Sequence, residues 1–117
     1  MVDALYSTQS ALRALGKKLE VTANNVANMD TEGFKRSRAF LQESSPSGVM
    51  VSINRIDSPG SPLPTEQGGN EKRESSNVDV GEEIINLITT KHAYTANLKT
   101  IKAEEETLGT LLDVLDE

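Results

Sequence analysis

The sequence of 117 residues contains no cysteine and no tryptophan, and only 3% of its residues are aromatic. The lack of cysteine excludes disulfides and thiolate metal sites, although it leaves the redox compartment open. The scarcity of large rings predicts a thin core, because aromatic side chains supply much of the buried area of compact domains. The remaining apolar residues are mostly Leu, Ile, Val and Ala, which suit helix-on-helix packing in one modest domain, residues 1–117.

An excess of positive charge is also missing, since 12 Lys and Arg residues stand against 18 Asp and Glu residues, a formal net charge of -6. A nucleic-acid partner is therefore not expected, because phosphate neutralisation requires clustered basic residues. Residues 104–117 carry Glu104, Glu105, Glu106, Asp113, Asp116 and Glu117 without an intervening base. This acidic end of a helix predicts a positively charged neighbour, either in the first helix or in another subunit.

Long hydrophobic runs are absent as well. No segment approaches the ~20 apolar residues that span a bilayer, so no membrane span is expected. Residues 1–5 offer neither a basic region nor a continuous apolar stretch, and a cleaved signal peptide is therefore not predicted.

What the sequence does contain is a seven-residue apolar repeat at both ends. Residues 3–30, free of proline, are predicted to form an N-terminal helix with one apolar row and a second row of Thr8, Leu15, Thr22 and Met29. Residues 79–116 are predicted to form a C-terminal helix that begins with a capping box, in which Asp79 accepts from the backbone and Glu82 reaches back. The predicted seam residues are Leu5, Leu12, Leu15, Leu19, Val26, Ile84, Leu87, Tyr94, Leu98, Ile101, Leu108, Leu112 and Leu115.

Such long, narrow rows are typical of coiled coils, so the predicted fold is mainly α, with the two terminal helices forming an antiparallel coiled-coil hairpin. Placing Met29 near Ile84 brings Leu15 towards Ile101 and Leu5 towards Leu112. The same register sets Arg13 and Lys17 near the glutamates at 104–106, so charge and apolar pattern favour one hairpin.

Between the helices, residues 31–78 are predicted to form a turn, short strands and a Pro/Gly-rich loop. Val49, Val51 and Ile53 alternate with other residues as a strand does, which indicates a short β-hairpin or an extended connector. Phe34, Phe40 and Leu41 are the residues expected to pin this connector to the helices.

Three asparagines stand near the end of the first predicted helix, in the run from Ala23 to Lys35. Asn24, Asn25 and Asn28 lower helix propensity, and each amide can donate and accept. Taken alone, the run favours a fraying helix end whose amides satisfy free carbonyls, followed by a turn with Gly33 in a left-handed conformation. The other interpretation is a hydrogen-bond cluster between subunits.

The whole run resembles the N-terminal signature of the flagellar rod and hook protein family, in which a long helix ends in Ala-Asn-Asn, a further Asn and a Thr-x-Gly-Phe turn. Ser76-Asn77-Val78-Asp79, followed by Glu82-Glu83, Tyr94 and Ala96-Asn97, resembles the C-terminal signature of that family. The two resemblances cover roughly residues 1–40 and 75–117. The motif residues carried over are Asn24, Asn25, Asn28, Thr31, Gly33, Phe34, Asn77, Asp79 and Asn97.

The resemblance implies a structural axial subunit of the bacterial flagellum, whose terminal helices pack into the inner tube of the basal-body rod and transmit torque from motor to hook. It implies self-association, partners among other rod and hook subunits, and export by the flagellar type III apparatus to a periplasmic rod without signal cleavage. The asparagine amides are then expected to face neighbouring subunits, so Asn25→Leu should keep the helix and block assembly. The short connector indicates the proximal-rod subtype, whereas Ser76 to Asp79 and Leu108 to Leu112 are closer to distal-rod or hook proteins.

Neither an enzyme nor a cofactor is expected. His92, the single histidine, has no second ligand or nucleophile at helical spacing and should face solvent. The acidic pairs Glu82-Glu83 and Glu104 to Glu106 are expected on exposed turns, where carboxylate pKa values are not separated. The competing function is a coiled-coil adaptor or type III export chaperone, which heptad repeats alone do not exclude.

Overall fold

The computed structural model describes residues 2–66, 68–69 and 71–116, and Glu117 of the acidic end lies outside these ranges. The elements are α1 (Val2–Ala27), β1 (Ser37–Glu43), β2 (Val49–Arg55) and α2 (Val80–Leu115). The two long helices and the β-hairpin between them form an extended body of 85 × 25 × 14 Å. This architecture confirms the predicted mainly-α hairpin with a short β-hairpin in the connector.

The asparagine run ends α1. Helix α1 stops at Ala27 rather than at residue 30, because Asn28 closes the last turn: its side-chain Nδ2 donates to the Asn24 carbonyl over 2.9 Å. Thr31 Oγ1 then donates to Asn28 Oδ1 over 3.1 Å, and Gly33 follows with φ of +71°. The left-handed conformation predicted for Gly33 is confirmed. The Asn28 side chain adds a second hydrogen bond to the Asn24 carbonyl, which also accepts from the Asn28 backbone amide over 3.2 Å.

At the start of α2, the predicted capping role of Asp79 is confirmed, whereas the predicted role of Glu82 is not. Asp79 is the residue before the helix, and its carboxylate accepts from the amides of Gly81 at 3.0 Å and Glu82 at 3.3 Å. The Glu82 carboxylate instead accepts from Arg36 over 2.9 Å and pairs with Arg38. That half of the capping-box prediction is wrong, because two guanidinium groups from β1 and its approach offer charged donors.

The predicted strand is confirmed, and with β1 it forms one antiparallel hairpin. The alternation does not extend to burial along the whole strand, because Ile53 is 49% exposed. Ser37 lies opposite Arg55, and Glu43 lies opposite Val49. The hairpin packs along α1, where the amide of Val49 donates to Ser10 Oγ over 2.9 Å. A Cβ on Gly48 would come within 2.9 Å of the same Oγ, and its φ is +104°, so the hairpin tip requires glycine.

The face of α1 that packs inward is the second predicted row together with its neighbours. Thr8, Leu15 and Thr22 are buried, and Ala14 with Leu15 makes up the buried apolar core of the described residues. On α2 the inward row is polar: Glu83 and Thr90 are buried, and Asn97 and Glu104 follow at seven-residue steps, half-buried. The apolar row of Leu87, Tyr94, Ile101 and Leu108 flanks this contact, and its members are half-buried or exposed.

The register of the two helices differs from the predicted one. Leu15 and Leu19 share a groove with Leu87 and Tyr94, not with Ile101. Leu5 lies with Ile101 and Leu108 rather than with Leu112. Lys17 pairs with Glu20 over 3.1 Å on its own helix, and within the described residues no ion pair joins α1 to the glutamates at 104–106. The expected charge match between the helices is therefore wrong.

Candidate assembly surface

A buried asparagine fixes that register. Asn25 is 1% exposed, and its Nδ2 donates to the Ser37 carbonyl over 2.8 Å and to Glu83 Oε1 over 3.2 Å. Its Oδ1 accepts from the Ser37 amide over 3.0 Å. One side chain thus joins α1, the first residue of β1 and the first turns of α2, and the amide group suits this role because it donates and accepts at once.

This geometry corrects the expectation that the Asn25 amide faces a neighbouring subunit. The side chain is enclosed within its own chain, and its donors and acceptor are used there. Glu83, expected on an exposed turn, is 3% exposed and forms the other side of the same contact. Glu83 was not predicted as a partner of Asn25. It belongs to a polar row at seven-residue spacing, whereas heptad patterns are recognised by their apolar residues.

A second asparagine secures the segment that leads into β1. Asn77 Oδ1 accepts from the Arg36 amide over 2.7 Å, and its Nδ2 donates to the carbonyls of Ile56 at 2.8 Å and Ser58 at 2.9 Å. The Asn77 amide also donates to the Phe34 carbonyl over 3.2 Å. Asn77 therefore connects both sides of the β-hairpin base to the residues just before α2.

Ion pairs surround these two asparagines. Arg36 and Arg38 both reach Glu82 on α2, and Lys35 reaches Glu74 in the connector. Farther out, Arg73 donates to both carboxylate oxygens of Glu32, over 2.8 and 2.9 Å. We refer to Asn25, Ser37, Asn77, Glu82 and Glu83, with Arg36 and Arg38, as the polar joint. It ties three separate parts of the chain to one another by directional bonds.

The Glu32–Arg73 pair lies on the surface, with 47% of the Glu32 side chain and 41% of the Arg73 side chain exposed. The hydrogen bond from Arg73, reinforced by its charge, lowers the pKa of Glu32, and the same bond raises the pKa of Arg73. This bidentate contact connects the turn after α1 to the second half of the connector.

The motif residues other than Asn25 vary in their exposure. Asn24, Thr31, Gly33 and Asp79 are exposed, whereas Asn28, Phe34, Asn77 and Asn97 are half-buried. Asn97 lies far from the joint, and its Nδ2 donates to the Ala93 carbonyl one turn earlier, over 2.8 Å. The structure thus brings Asn25 and Asn77 together at the joint and leaves Asn97 on the long arm of α2.

The predicted seam residues divide into two groups by exposure. Leu15 is buried, and five others are half-buried: Leu5, Leu12, Val26, Leu87 and Ile101. Seven are exposed, with exposed fractions from 39% to 79%: Leu19, Ile84, Tyr94, Leu98, Leu108, Leu112 and Leu115. The hairpin by itself therefore covers less than half of the predicted seam, and the role of the exposed members in assembly stays a prediction.

Further apolar side chains are exposed on α2, outside the predicted seam. Ile85, Ile88, Leu111 and Val114 are 63%, 52%, 49% and 64% exposed. Scattered exposed apolar residues are normal on protein surfaces, but so many along one slender helix indicate an interaction surface.

The described residues contain no group of three or more side chains suited to hold a metal ion. None of the described helices is both long enough and apolar enough to cross a membrane. His92 is exposed on α2, as expected.

Comparison with known proteins gives matches at both ends of the chain. Residues 5–35 match the family model described as flagella basal body rod protein. Residues 72–114 match the model described as flagellar basal body rod FlgEFG protein C-terminal. The two matched segments contain most of both long helices and, of the polar joint, Asn25, Asn77, Glu82 and Glu83.

Individual relatives agree with these matches. The chain is 27% identical, over 90% of its length and 90% of that protein, to the flagellar basal-body rod protein FlgC of Buchnera aphidicola subsp. Baizongia pistaciae. It is 36% identical over 55% of its length to FlgG of Caulobacter vibrioides, and 42% identical over 37% of its length to FlgG of Bacillus subtilis. The chain spans 24% and 16% of those two FlgG proteins, respectively.

Proposed function

Because the chain belongs to the flagellar basal-body rod protein family, we propose that it is an axial subunit of the rod that polymerises by packing its two terminal helices against those of neighbouring subunits. The family is structural and not an enzyme family. The proposal adds the mechanism: burial of apolar side chains that the hairpin leaves exposed.

The exposed apolar side chains of α2 are the observation that carries this proposal. Two residues, Ala14 and Leu15, make up the buried apolar core of the described chain, while 19 large apolar side chains are exposed. Burying apolar area contributes about 25 cal/mol per Å², so a surface of this kind gains most when sister helices cover it. A helical hairpin with so small a core is expected to be marginal in isolation.

Transmission of torque is part of the proposal, and the polar joint supports it. A subunit that carries a twisting load needs its helices fixed to each other and to the connector. Asn25 and Asn77 supply directional hydrogen bonds to the backbone of the β-hairpin, and Glu82 and Glu83 supply the bonds from α2. The joint lies where α1, β1 and α2 meet, so it resists sliding of one helix along the other.

Within the family we propose the proximal-rod subtype. The relative named FlgC aligns over 90% of both chains, whereas the FlgG relatives contain long regions that have no counterpart here. The short connector between α1 and α2 supports the same subtype. Export by the flagellar type III apparatus without signal cleavage, and a place in the periplasmic rod, complete the proposal.

The test is to locate the chain in purified basal bodies. A flagellated cell that encodes the chain would carry an epitope-tagged full-length copy, and isolated basal bodies would be immunogold-labelled and imaged by electron microscopy. We expect label on the rod, and an intact mass spectrum that retains residues 1–5. Unlabelled basal bodies, with the chain recovered as a discrete soluble complex, would instead favour the adaptor or export-chaperone function.

A further inference from the structure

The end of α2 carries an apolar stripe that extends past the amino end of α1 and is left mostly uncovered by the described chain. The amino end of α1 lies with Ile101 and Leu108, and α2 continues beyond that point to Leu115. At 3.6 residues per turn, four leucines fall within about 100° of one another on this extension. We call them the distal stripe: Leu108, Leu111, Leu112 and Leu115. Their exposed fractions are 42%, 49%, 62% and 79%.

A groove on the side of the helix pair offers a complementary surface. It has a volume of about 370 Å³ and opens to the outside. Its apolar lining comes from both helices, and Thr90 contributes a buried hydroxyl with no hydrogen-bond partner among the described residues. We call it the side groove, and its main lining residues are Leu15, Leu19, Leu87, Ile88, Lys91 and Tyr94.

The two surfaces also carry opposite charge. Lys91 lies in the side groove, and within the described residues it forms no ion pair. Asp116 borders the distal stripe, about 40° from Leu112 around the helix, and the last turn of α2 contains no basic residue. The negative end of the helix dipole adds to this acidic character. When the stripe is docked, Lys91 of the groove would therefore attract the acidic helix end that carries the stripe.

The stripe and the groove of one chain cannot meet. Ile88 and Leu112 lie on the same helix, 24 residues apart, or about 36 Å at 1.5 Å per residue. Any contact between them therefore joins two copies. The contact is also heterologous, because a different surface is used on each copy, and repetition of a heterologous contact that does not close into a ring generates an open filament.

Building on the proposed function, we propose that the distal stripe of one copy docks in the side groove of a second copy of the same chain. This contact gives the assembly a direction along its axis, because each copy offers one stripe and one groove. Helix α2 then has two roles: its first half forms the side groove together with α1, and its last turns carry the distal stripe that docks in the groove of another copy.

Disulfide trapping tests the contact directly, because the chain has no cysteine of its own. Full-length chain with Leu112→Cys would be mixed with a tagged full-length chain carrying Ile88→Cys, and formation of the mixed dimer would be followed by mass. The matched control is Ile85→Cys, one helical turn away, outside the groove and 63% exposed against 52% for Ile88. We expect the dimer of Leu112→Cys with Ile88→Cys to form at least about tenfold faster, since docking raises the effective concentration of the two thiols.

Polymer formation gives a second measurement with its own matched pair. Leu112 and Val114 are 62% and 64% exposed, but Val114 lies off the distal stripe. We expect Leu112→Ser to raise the critical concentration for sedimentable polymer by about tenfold, and Val114→Ser to change it by less than about twofold. Lys91→Glu should raise the critical concentration, and adding Asp116→Lys should restore part of it.

The outcomes separate this proposal from the proposed function. Equal trapping at positions 88 and 85, or equal effects of Leu112→Ser and Val114→Ser, would overturn the docking contact. Labelled basal bodies in which the Leu112→Cys chain is trapped to a different protein would reject a second copy as the occupant and retain the rod function. Unlabelled basal bodies, with trapping between positions 112 and 88 in the purified chain, would reject the rod function and support self-docking.

Discussion

Asn25→Leu is the substitution that most directly tests the polar joint. Leucine removes the two hydrogen bonds to the Ser37 backbone and the bond to Glu83, all formed by a side chain that is 1% exposed. A buried donor or acceptor left without a partner costs about 1 to 3 kcal/mol. The buried Glu83 carboxylate adds to this, because removing one member of a buried polar pair strands the other.

The expected loss is therefore about 3 to 5 kcal/mol of unfolding free energy. That is at least about a fifth of the stability of a typical domain, about 5 to 15 kcal/mol. The structure thus changes the expectation from sequence, which was an intact helix that fails to assemble. We now expect α1 to remain helical while the β-hairpin and the start of α2 come away from it.

The assay is urea unfolding followed by circular dichroism, combined with hydrogen exchange at the Ser37 amide. Asn24→Leu is the matched control, because Asn24 is the adjacent asparagine and its exposed side chain only accepts a 3.3 Å bond from Asn28. We expect it to change stability by less than about 0.5 kcal/mol. Glu83→Leu added to Asn25→Leu should recover part of the loss. Equal losses for the two asparagines, or an unchanged Ser37 exchange rate, would refute the reasoning.

Three further predictions concern the core, the connector and the turn. Leu15→Ala, at a side chain 6% exposed, should cost about 2 to 5 kcal/mol in urea unfolding. Gly60→Ala should disrupt the connector, because the added Cβ would lie 1.9 Å from a backbone oxygen, and amide hydrogen exchange in the connector should become faster. Gly16→Ala has open space around the added Cβ and should stabilise α1 by up to about 1 kcal/mol. The hydrogen bond from Arg73 lowers the pKa of Glu32 in the folded chain. The stability that this pair contributes is therefore present above the unfolded pKa of Glu32 and is lost as the pH falls through its folded pKa. Arg73→Gln should raise the pKa of Glu32, as measured by an NMR titration.

Ile101→Ala, at one of the predicted seam residues, is expected to have only a modest effect on the stability of the isolated chain. A loss of about 2 to 5 kcal/mol on truncation applies to buried sites, whereas Ile101 is half-buried beside Leu5 and Leu108. Its contribution within one chain is therefore smaller, and its larger contribution is expected in the assembled state.

Local sequence signals predicted the local structure well. Asp79 caps α2, Gly33 adopts the left-handed conformation, and Val49 to Ile53 form a strand, since each outcome depends on a few neighbouring residues and their backbone preferences. Glu82 departed from its local motif because its partners, Arg36 and Arg38, lie more than 40 residues away in the chain. No local pattern contains that information.

The sequence by itself determined two long helices, the connector between them and the family to which the chain belongs, because periodicity and short motifs are written along the chain. The tertiary structure alone decided the register and the inward face of α2. A seven-residue repeat fits at several positions of one helix along another, at nearly equal apolar burial. The contact of buried Asn25 with Ser37 and Glu83 selects one of these positions, because a directional hydrogen bond in a buried site is lost when the helices slide.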